Sequence, residues 1–355
     1  MCGIAGILGG DWGHEQRVAL CSRMTATLEH RGPDDRGIFV SDTLPVAMGH
    51  RRLSIIDTSE AGHQPMTSRS GRWTIVFNGE IYNARDLRRE LPPDHEPRGH
   101  SDTEVLCELI ACLGVERTLS RLVGMFAFGA WDHQERSLTL VRDRIGIKPL
   151  YVGVHDRCLG FASELRALGA VPGLVGEVSR PALASLLRFG YIPGPLSIRE
   201  HVRKVAPGTM MVASIHEGQL RTRTSRWWSA EEHASMDPIT SDPVEAVELV
   251  GSAIRESVRD RMVADRPLGA FLSGGIDSSL VVAAMSAVAA GPVKTYSIGF
   301  HETRFDEAGH ARDVAAHLGT DHTEHYVETT DAIEIVPGLG SMFDEPFADS
   351  SQIPT

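Results

Sequence analysis

The sequence predicts two folds in series, an α+β part over residues 1–205 and an α/β part with a doubly wound parallel sheet over residues 244–355. Three observations predict this. Short apolar runs bounded by turn residues dominate the first part, as in WTIVF at 73–77 before Asn78–Gly79. Residues 206–243 break the pattern with Pro207–Gly208, the Trp227–Trp228 pair and a Glu/Ser/Asp/Pro-rich run ending at Pro243, which reads as connecting strands and a linker. From 244 onward strand-like apolar runs alternate with helix-length segments, and that alternation implies a parallel sheet covered by helices.

Taken in order, residues 73–77 form a strand that ends in the Asn78–Gly79 turn signal, and a short helix follows with Asn83 as its cap. Ser101–Asp102–Thr103–Glu104 is a capping box: the serine hydroxyl can accept from the N–H three residues on, and the glutamate can reach back. Val105, Leu106, Leu109, Ile110 and Leu113 then recur at helical spacing, with Gly114 as the stop. Residues 122–131 and 137–142 read as a hairpin around 133–136, and a last strand pair leads into the linker. Beyond it the pattern predicts a helix at 244–263, a buried strand at 268–272, a Gly/Ser turn, a helix at 278–289, a strand at 294–299, a helix at 306–318 and a strand at 323–327.

Composition narrows the function classes. Of the 355 residues 42% are hydrophobic and 23% charged, ordinary for a globular protein. No apolar run approaches the ~18 residues of a membrane span, and no basic segment followed by an apolar core marks a secretory signal. A net charge of −12 argues against nucleic-acid binding while leaving room for a local basic pocket. The five cysteines form no CxxC or Cys/His ligand spacing, and the 16 histidines form no zinc constellation. A reduced, cytoplasmic setting is expected.

The chemistry begins at Met1–Cys2–Gly3. Cysteine is small enough for the initiator methionine to be trimmed, which would give Cys2 a free α-amine. An α-amine titrates at about 7.7–8.0 and a thiol at about 8.5, so the amine can take the thiol proton near neutral pH. Thioester chemistry also needs donors where negative charge develops. The Asn78 side-chain amide and the Gly79 N–H, on one turn, can aim at one point. An amino-acid substrate further needs a guanidinium for its carboxylate and a carboxylate for its ammonium. Arg52, leading the apolar run 53–56, and Asp102, in the first helical turn, are candidates, although Asp102 could serve only to offset the helix dipole. In the second part Ser273–Gly274–Gly275–Ile276–Asp277–Ser278–Ser279 follows a strand and opens a helix. Its N–H groups can form an anion-binding concavity, and no GK[ST] follows as in a kinase-type phosphate loop.

These residues carry a resemblance. MCGIAGI, HRGPD (30–34), GHRRLSIID (49–57), FNGEIYN (77–83), SDTE (101–104), GMFAF (124–128), RDRIGIKPLY (142–151) and FASELRAL (161–168) resemble, in order, the glutaminase domain of glutamine-hydrolysing asparagine synthetases. The resemblance implies an N-terminal-nucleophile αββα sandwich. It implies Cys2 as nucleophile, Asn78 and Gly79 as oxyanion hole, and Arg52, Asn78, Glu80 and Asp102 as glutamine ligands. SGGIDSS resembles the pyrophosphate loop of ATP pyrophosphatases. That implies ATP binding at Leu272, Ser273, Gly274, Gly275, Asp277, Ser278, Ser279 and Ile298, with Mg²⁺ at Asp277. The segment 344–351 (DEPFADSS) resembles an acidic stretch near the aspartate and adenylate site.

The expected partners are glutamine, aspartate and ATP, without nucleic acid or membrane, and with a homodimer as the assembly left open. Family members continue past the point matched by Thr355 with a strand and an SGxGxDE loop, so the second sheet is expected to be incomplete and the chain a fragment or truncated product. The expected function is glutamine-dependent asparagine synthesis through a β-aspartyl adenylate. The alternatives are a like-built amidotransferase acting on a peptide, antibiotic or surface-sugar precursor, or a glutaminase alone.

Overall fold

The computed structural model describes residues 1–234, 242–301, 306–349 and 352. The strands are β1 (Gly3–Gly9), β2 (Asp35–Val40), β3 (Val46–Arg52), β4 (Met66–Thr67), β5 (Trp73–Ile81), β6 (Gly124–Asp132), β7 (Ser137–Arg142) and β8 (Tyr151–His155). They continue as β9 (Cys158–Ala162), β10 (Val202–Lys204), β11 (Thr209–His216), β12 (Gln219–Arg226), β13 (Gly269–Phe271), β14 (Lys294–Phe300) and β15 (Asp321–Val327). Helices used below are α1 (His14–Ala26), α2 (Ala84–Leu87), α3 (Asp102–Leu113), α4 (Val115–Leu119), α5 (Leu165–Gly169), α6 (Arg180–Phe189), α7 (Ala230–Ala234), α8 (Pro243–Asp260), α9 (Ile276–Val288) and α10 (Ala308–Leu318). By internal contacts the chain forms two units, Met1–Ser235 with Asp344–Ala348, and Met236–Phe343 with Asp349–Thr355.

The first unit is the αββα sandwich. One sheet has the order β10-β8-β9-β1-β3-β2 and the other β12-β11-β7-β6-β5-β4. Strand alternation builds the layers, because successive side chains point to opposite faces. On β1, Ile4 and Leu8 enter the layer between the sheets with Val46, Met48, Val76, Ala127 and Trp131. Ala5 and Ile7, with the opposite parity, pack outward against Leu20, Cys21 and Met24 of α1. On β5, Ile75 and Phe77 pack outward against Val105, Leu106, Leu109 and Ile110 of α3. The apolar stripe of α3 is the one its spacing predicts, and Ser101 caps it by accepting the Glu104 N–H at 3.2 Å. Glu104 does not close the box; it accepts instead from the N–H groups of Arg98 and Gly99.

Two local expectations need correction. Asn78–Gly79 does not end a strand: β5 runs on to Ile81 because β6 offers a matching partner, down to Ile81 opposite Gly124. A Cβ at position 79 would run into the Met125 carbonyl, so glycine is needed there for close strand approach. Arg52 does not lead an apolar strand either. It is the last residue of β3, whose pairing stops at Asp35 opposite Arg52, and 53–56 leave the sheet.

The second unit holds a parallel sheet of order β13-β14-β15 with α8, α9 and α10. Two small apolar clusters sit on it, one around Val258, Ala284 and Met285, the other around Leu272, Val282, Ala311 and Ala315. The expected buried strand at 268–272 is an edge strand paired only with β14 among the described residues, and Phe271 is 81% exposed. No described helix is long and apolar enough to cross a membrane.

Candidate active site

Three side chains share the inner layer because of parity. Cys2 continues the alternation of Ile4 and Leu8, Arg52 that of Val46 and Met48, and Asn78 that of Val76. Since β1 begins and β3 ends at this border of the sandwich, all three line one pocket, with Phe77, Gly79, Glu80, Asp102 and Lys148.

The second wall comes from the free edge of β5. Strand β4 has only two residues and pairs with Ile75 and Thr74, so beyond it the edge of β5 lacks a strand partner among the described residues. Backbone groups alternate between the two edges of a strand. Phe77 N–H donates to Gln64 Oε1 at 2.7 Å, and Ile81 N–H donates to Asp102 Oδ2 at 2.9 Å. Gly79, between them, has the same parity, so its N–H faces the same edge and the pocket. The Phe77 carbonyl accepts from His50 Nε2 at 3.0 Å across the two sheets. Burial holds His50 neutral, pushed down to about 3, so Nε2 carries the proton.

Asn78 stands out energetically. It is 1% exposed, and neither its Oδ1 nor its Nδ2 has a hydrogen-bond partner among the described residues. A buried unpaired amide costs about 1–3 kcal/mol, and a catalytic role is one of the explanations such a group calls for. The Cys2 thiol is the neighbouring polar group: Leu53 N–H donates to Sγ at 3.5 Å, and Sγ donates to the Leu53 carbonyl at 3.7 Å. Burial pushes the thiol up from its ordinary value, against a smaller downward pull from the Leu53 N–H and the chain's amino end. Deprotonation therefore needs a base at hand. The amine of Met1 lies in the same pocket and is lowered, first by burial and then by the charges of Arg31 and Lys148.

Charge is placed for a zwitterion. Arg52 is held by the Ser59 carbonyl at 2.8 Å and by the Asp57 carbonyl, so its guanidinium has one orientation. Asp34 braces the turn beyond, accepting the Ser54 N–H at 2.7 Å. Asp102 begins α3, is buried and is pushed up to about 6, chiefly by burial, against the bonds from Ile81 and Thr103. Glu80 lines the same pocket. Sequence reasoning missed Gln64, Thr103 and Lys148. Lys148 lies inside RDRIGIKPLY, but nothing local shows that the loop delivers it here. Buried Asp143 does so by accepting the N–H groups of Ile147 and Lys148, both at 2.9 Å.

The expected ATP residues lie in the second unit. Gly274 has φ +76°, and Gly275 caps α9. Ser278 Oγ accepts the Ser273 N–H at 3.2 Å and lies 3.0 Å from Ser273 Oγ. Asp277 is exposed in the first turn, Leu272 is buried and donates its N–H to the Tyr296 carbonyl at 2.8 Å, and Ile298 is half-buried on β14. Of the acidic segment, Asp344 to Asp349 are described; Ser350 and Ser351 lie outside the described residues.

Residues 1–228 match the family model described as a glutamine amidotransferase domain, and residues 249–355 the model described as asparagine synthase. Asparagine synthetase [glutamine-hydrolyzing] 1 of Bacillus subtilis is 35% identical over 361 residues, covering 100% of this chain and 54% of that protein. Putative asparagine synthetase [glutamine-hydrolyzing] 2 of Methanocaldococcus jannaschii is 32% identical, covering 100% of this chain and 70% of its own length. The chain thus spans about half the length of the Bacillus relative. A solved glutamine phosphoribosylpyrophosphate amidotransferase from B. subtilis aligns with a TM-score of 0.46 at 21% identity, over 91% of this chain and 65% of that one. A sandwich with Cys2, Arg52 and Asn78 at the end of its inner layer, followed by a parallel sheet with an SGGIDSS turn, and matched over its whole length, belongs to the family of glutamine-hydrolysing asparagine synthetases.

Proposed function

We propose that this chain hydrolyses glutamine at Cys2 and supplies the ammonia to asparagine synthesis from aspartate and ATP. The observation that carries the first step is the buried, unpaired Asn78 amide on the wall of the Cys2 pocket. Once Met1 is removed, the Cys2 α-amine takes the thiol proton and Sγ attacks the glutamine side-chain carbonyl. The oxygen that gains negative charge receives hydrogen bonds from Asn78 Nδ2 and the Gly79 N–H. Ammonia leaves with the proton returned by the amine, and water hydrolyses the thioester to glutamate. Arg52 takes the substrate carboxylate, and Asp102 with Glu80 takes its ammonium.

In the second unit the 273–279 turn at the start of α9 suits the phosphates of ATP, because N–H groups and the helix dipole favour an anion there. Leu272 and Ile298 flank the nucleotide. One carboxylate beside a phosphate site is the donor set that Mg²⁺ takes, keeping waters for its other positions, and Asp277 supplies it. The metal would neutralise phosphate charge as the aspartate carboxylate attacks the α-phosphorus. The division 1–205, 206–243 and 244–355 is the corresponding module plan. Five unpaired cysteines support a cytoplasmic setting.

Incubation with glutamine, ATP and aspartate tests this. Asparagine, AMP and pyrophosphate support the full reading. Glutamate without ATP turnover would leave a glutaminase alone, and ATP turnover only with another carboxylate would change the acceptor.

A further inference from the structure

Three motifs play no part in the chemistry above: HRGPD, FASELRAL and the acidic segment at 344. They meet in one set of ion pairs, buried at Arg31 and partly exposed at Arg166 and His30. Arg31 is 8% exposed, and its Nε donates to the Cys2 carbonyl at 2.9 Å. Its Nη1 donates to Glu164 Oε1 at 2.8 Å, where His30 Nε2 also lies 2.9 Å away. The other oxygen of Glu164 is 3.1 Å from Arg166 Nε, which donates to Asp344 Oδ1 at 2.7 Å. The Arg166 N–H donates to Asp344 Oδ2 at 3.2 Å. Asp344–Ala348 belongs to the first unit by its contacts, although its sequence neighbours belong to the second. The segment is anchored there independently: Glu345 accepts the Ile198 N–H at 2.7 Å and pairs with Lys204 Nζ at 2.6 Å.

We propose that Arg31, Glu164, Arg166 and Asp344 form an ion-pair ladder that positions the Cys2 backbone, making the acidic segment a positioning element of the thiol site. This rests on the reading of Cys2 as nucleophile. The ladder ends on the carbonyl of the residue that must react. The neighbouring Ser163 pins the next part of β1 from the same segment, accepting the Ile4 N–H at 3.0 Å and donating its own N–H to the Ile4 carbonyl at 2.9 Å. Burial alone would raise the Glu164 carboxyl, but the bonds from Arg31 and His30 outweigh it and hold it below its ordinary value, so it stays charged at neutral pH. Burial raises Asp344, and the Glu164 charge adds to that, against the pull of Arg166. Two carboxylates sharing one guanidinium make the ladder depend on every rung.

Full-chain protein is assayed for ammonia release from glutamine, melting temperature, and alkylation of Cys2 by iodoacetamide followed by mass spectrometry. Glu164→Gln and Asp344→Ala each lower kcat roughly tenfold or more, since small misplacements of a reacting group are costly. KM changes by less than about twofold, because the substrate clamps are untouched. Cys2 alkylation slows in parallel, and the double variant is no worse than E164Q, as rungs in series require. Asp344→Glu recovers part of the rate. Arg72→Ala, which breaks a separate ion pair with Asp132 at 2.7 Å, lowers the melting temperature and leaves kcat unchanged. Parent-level kcat in both ladder variants, or the same loss in R72A, overturns the ladder. A variant that fails to fold alkylates at all five cysteines; D344N, which keeps the side chain's shape, then replaces it with the same expected direction. Cys2→Ala separates the two readings. Residual hydrolysis there removes the nucleophile assignment, whereas an inactive C2A beside fully active ladder variants removes only the ladder.

Discussion

The Cys2 pocket and the 273–279 turn, proposed above as the two ligand sites, treat their own polar groups in opposite ways. Around Cys2 the groups are buried, and the Asn78 amide is left without a partner. In the turn, Ser273, Gly275 and Ser278 are largely exposed and bond to one another. A buried donor that waits unpaired costs folding free energy but needs no rearrangement when charge develops. An exposed turn carries no such cost and can exchange its local bonds for those to a phosphate. The difference teaches that the first site is preorganised by the two sheets, whereas the second is a local device at a helix start.

The largest expected effect tests the first site directly. Cys2→Ala should lower ammonia release from glutamine by at least about 10³-fold, as loss of a nucleophile does. Asn78→Ala should lower kcat about 10²–10³-fold, the usual cost of an oxyanion donor, without lowering the melting temperature. A clear drop in melting temperature would show that Asn78 is a structural partner after all and would erase the contrast between the two regions.

Asp102 sharpens the comparison through pH. Its folded value, about 6, lies above the ordinary 3.8, so the folded state binds the proton more tightly than the unfolded chain does. Below about pH 6 the carboxyl becomes neutral and loses the substrate ammonium, so kcat/KM for glutamine should fall by up to about tenfold per unit. Stability is penalised as pH rises from 3.8 towards 6 and is level above. Asp102→Asn should therefore raise the melting temperature at pH 7.5 and not at pH 4, while weakening glutamine use at pH 7.5. The smallest effect belongs to the turn. Ser278→Ala should shift stability by less than about 1 kcal/mol and leave glutamine hydrolysis unchanged, while weakening ATP binding measured by calorimetry.

Local elements were legible where short-range physics decides them. The α3 stripe, the Ser101 cap, the 124–142 hairpin and the strand–helix alternation after 243 follow from spacing within about ten residues. The turn at Asn78–Gly79 was misread for a related reason. That dipeptide favours turns, but here a full-length partner strand overrides local preference, and glycine answers a steric demand from Met125. Gln64 and Lys148 were not legible: Gln64 is placed by its bond to Phe77 on β5, and the Asp143 that holds the Lys148 loop is itself fixed by the distant Phe126 N–H at 3.2 Å.

Residue type and local period, visible in the chain itself, determined that a cysteine, an arginine, an Asn-Gly pair and a capped aspartate were available for one chemistry. Only the tertiary structure decided that they converge. Strand parity turned Cys2, Arg52 and Asn78 into one layer, the two-residue β4 left the Gly79 edge open, and burial raised Asp102 and the thiol. The reason is physical: propensities act over a few residues, whereas desolvation, edge pairing and ion-pair ladders arise only where segments far apart in sequence are packed together.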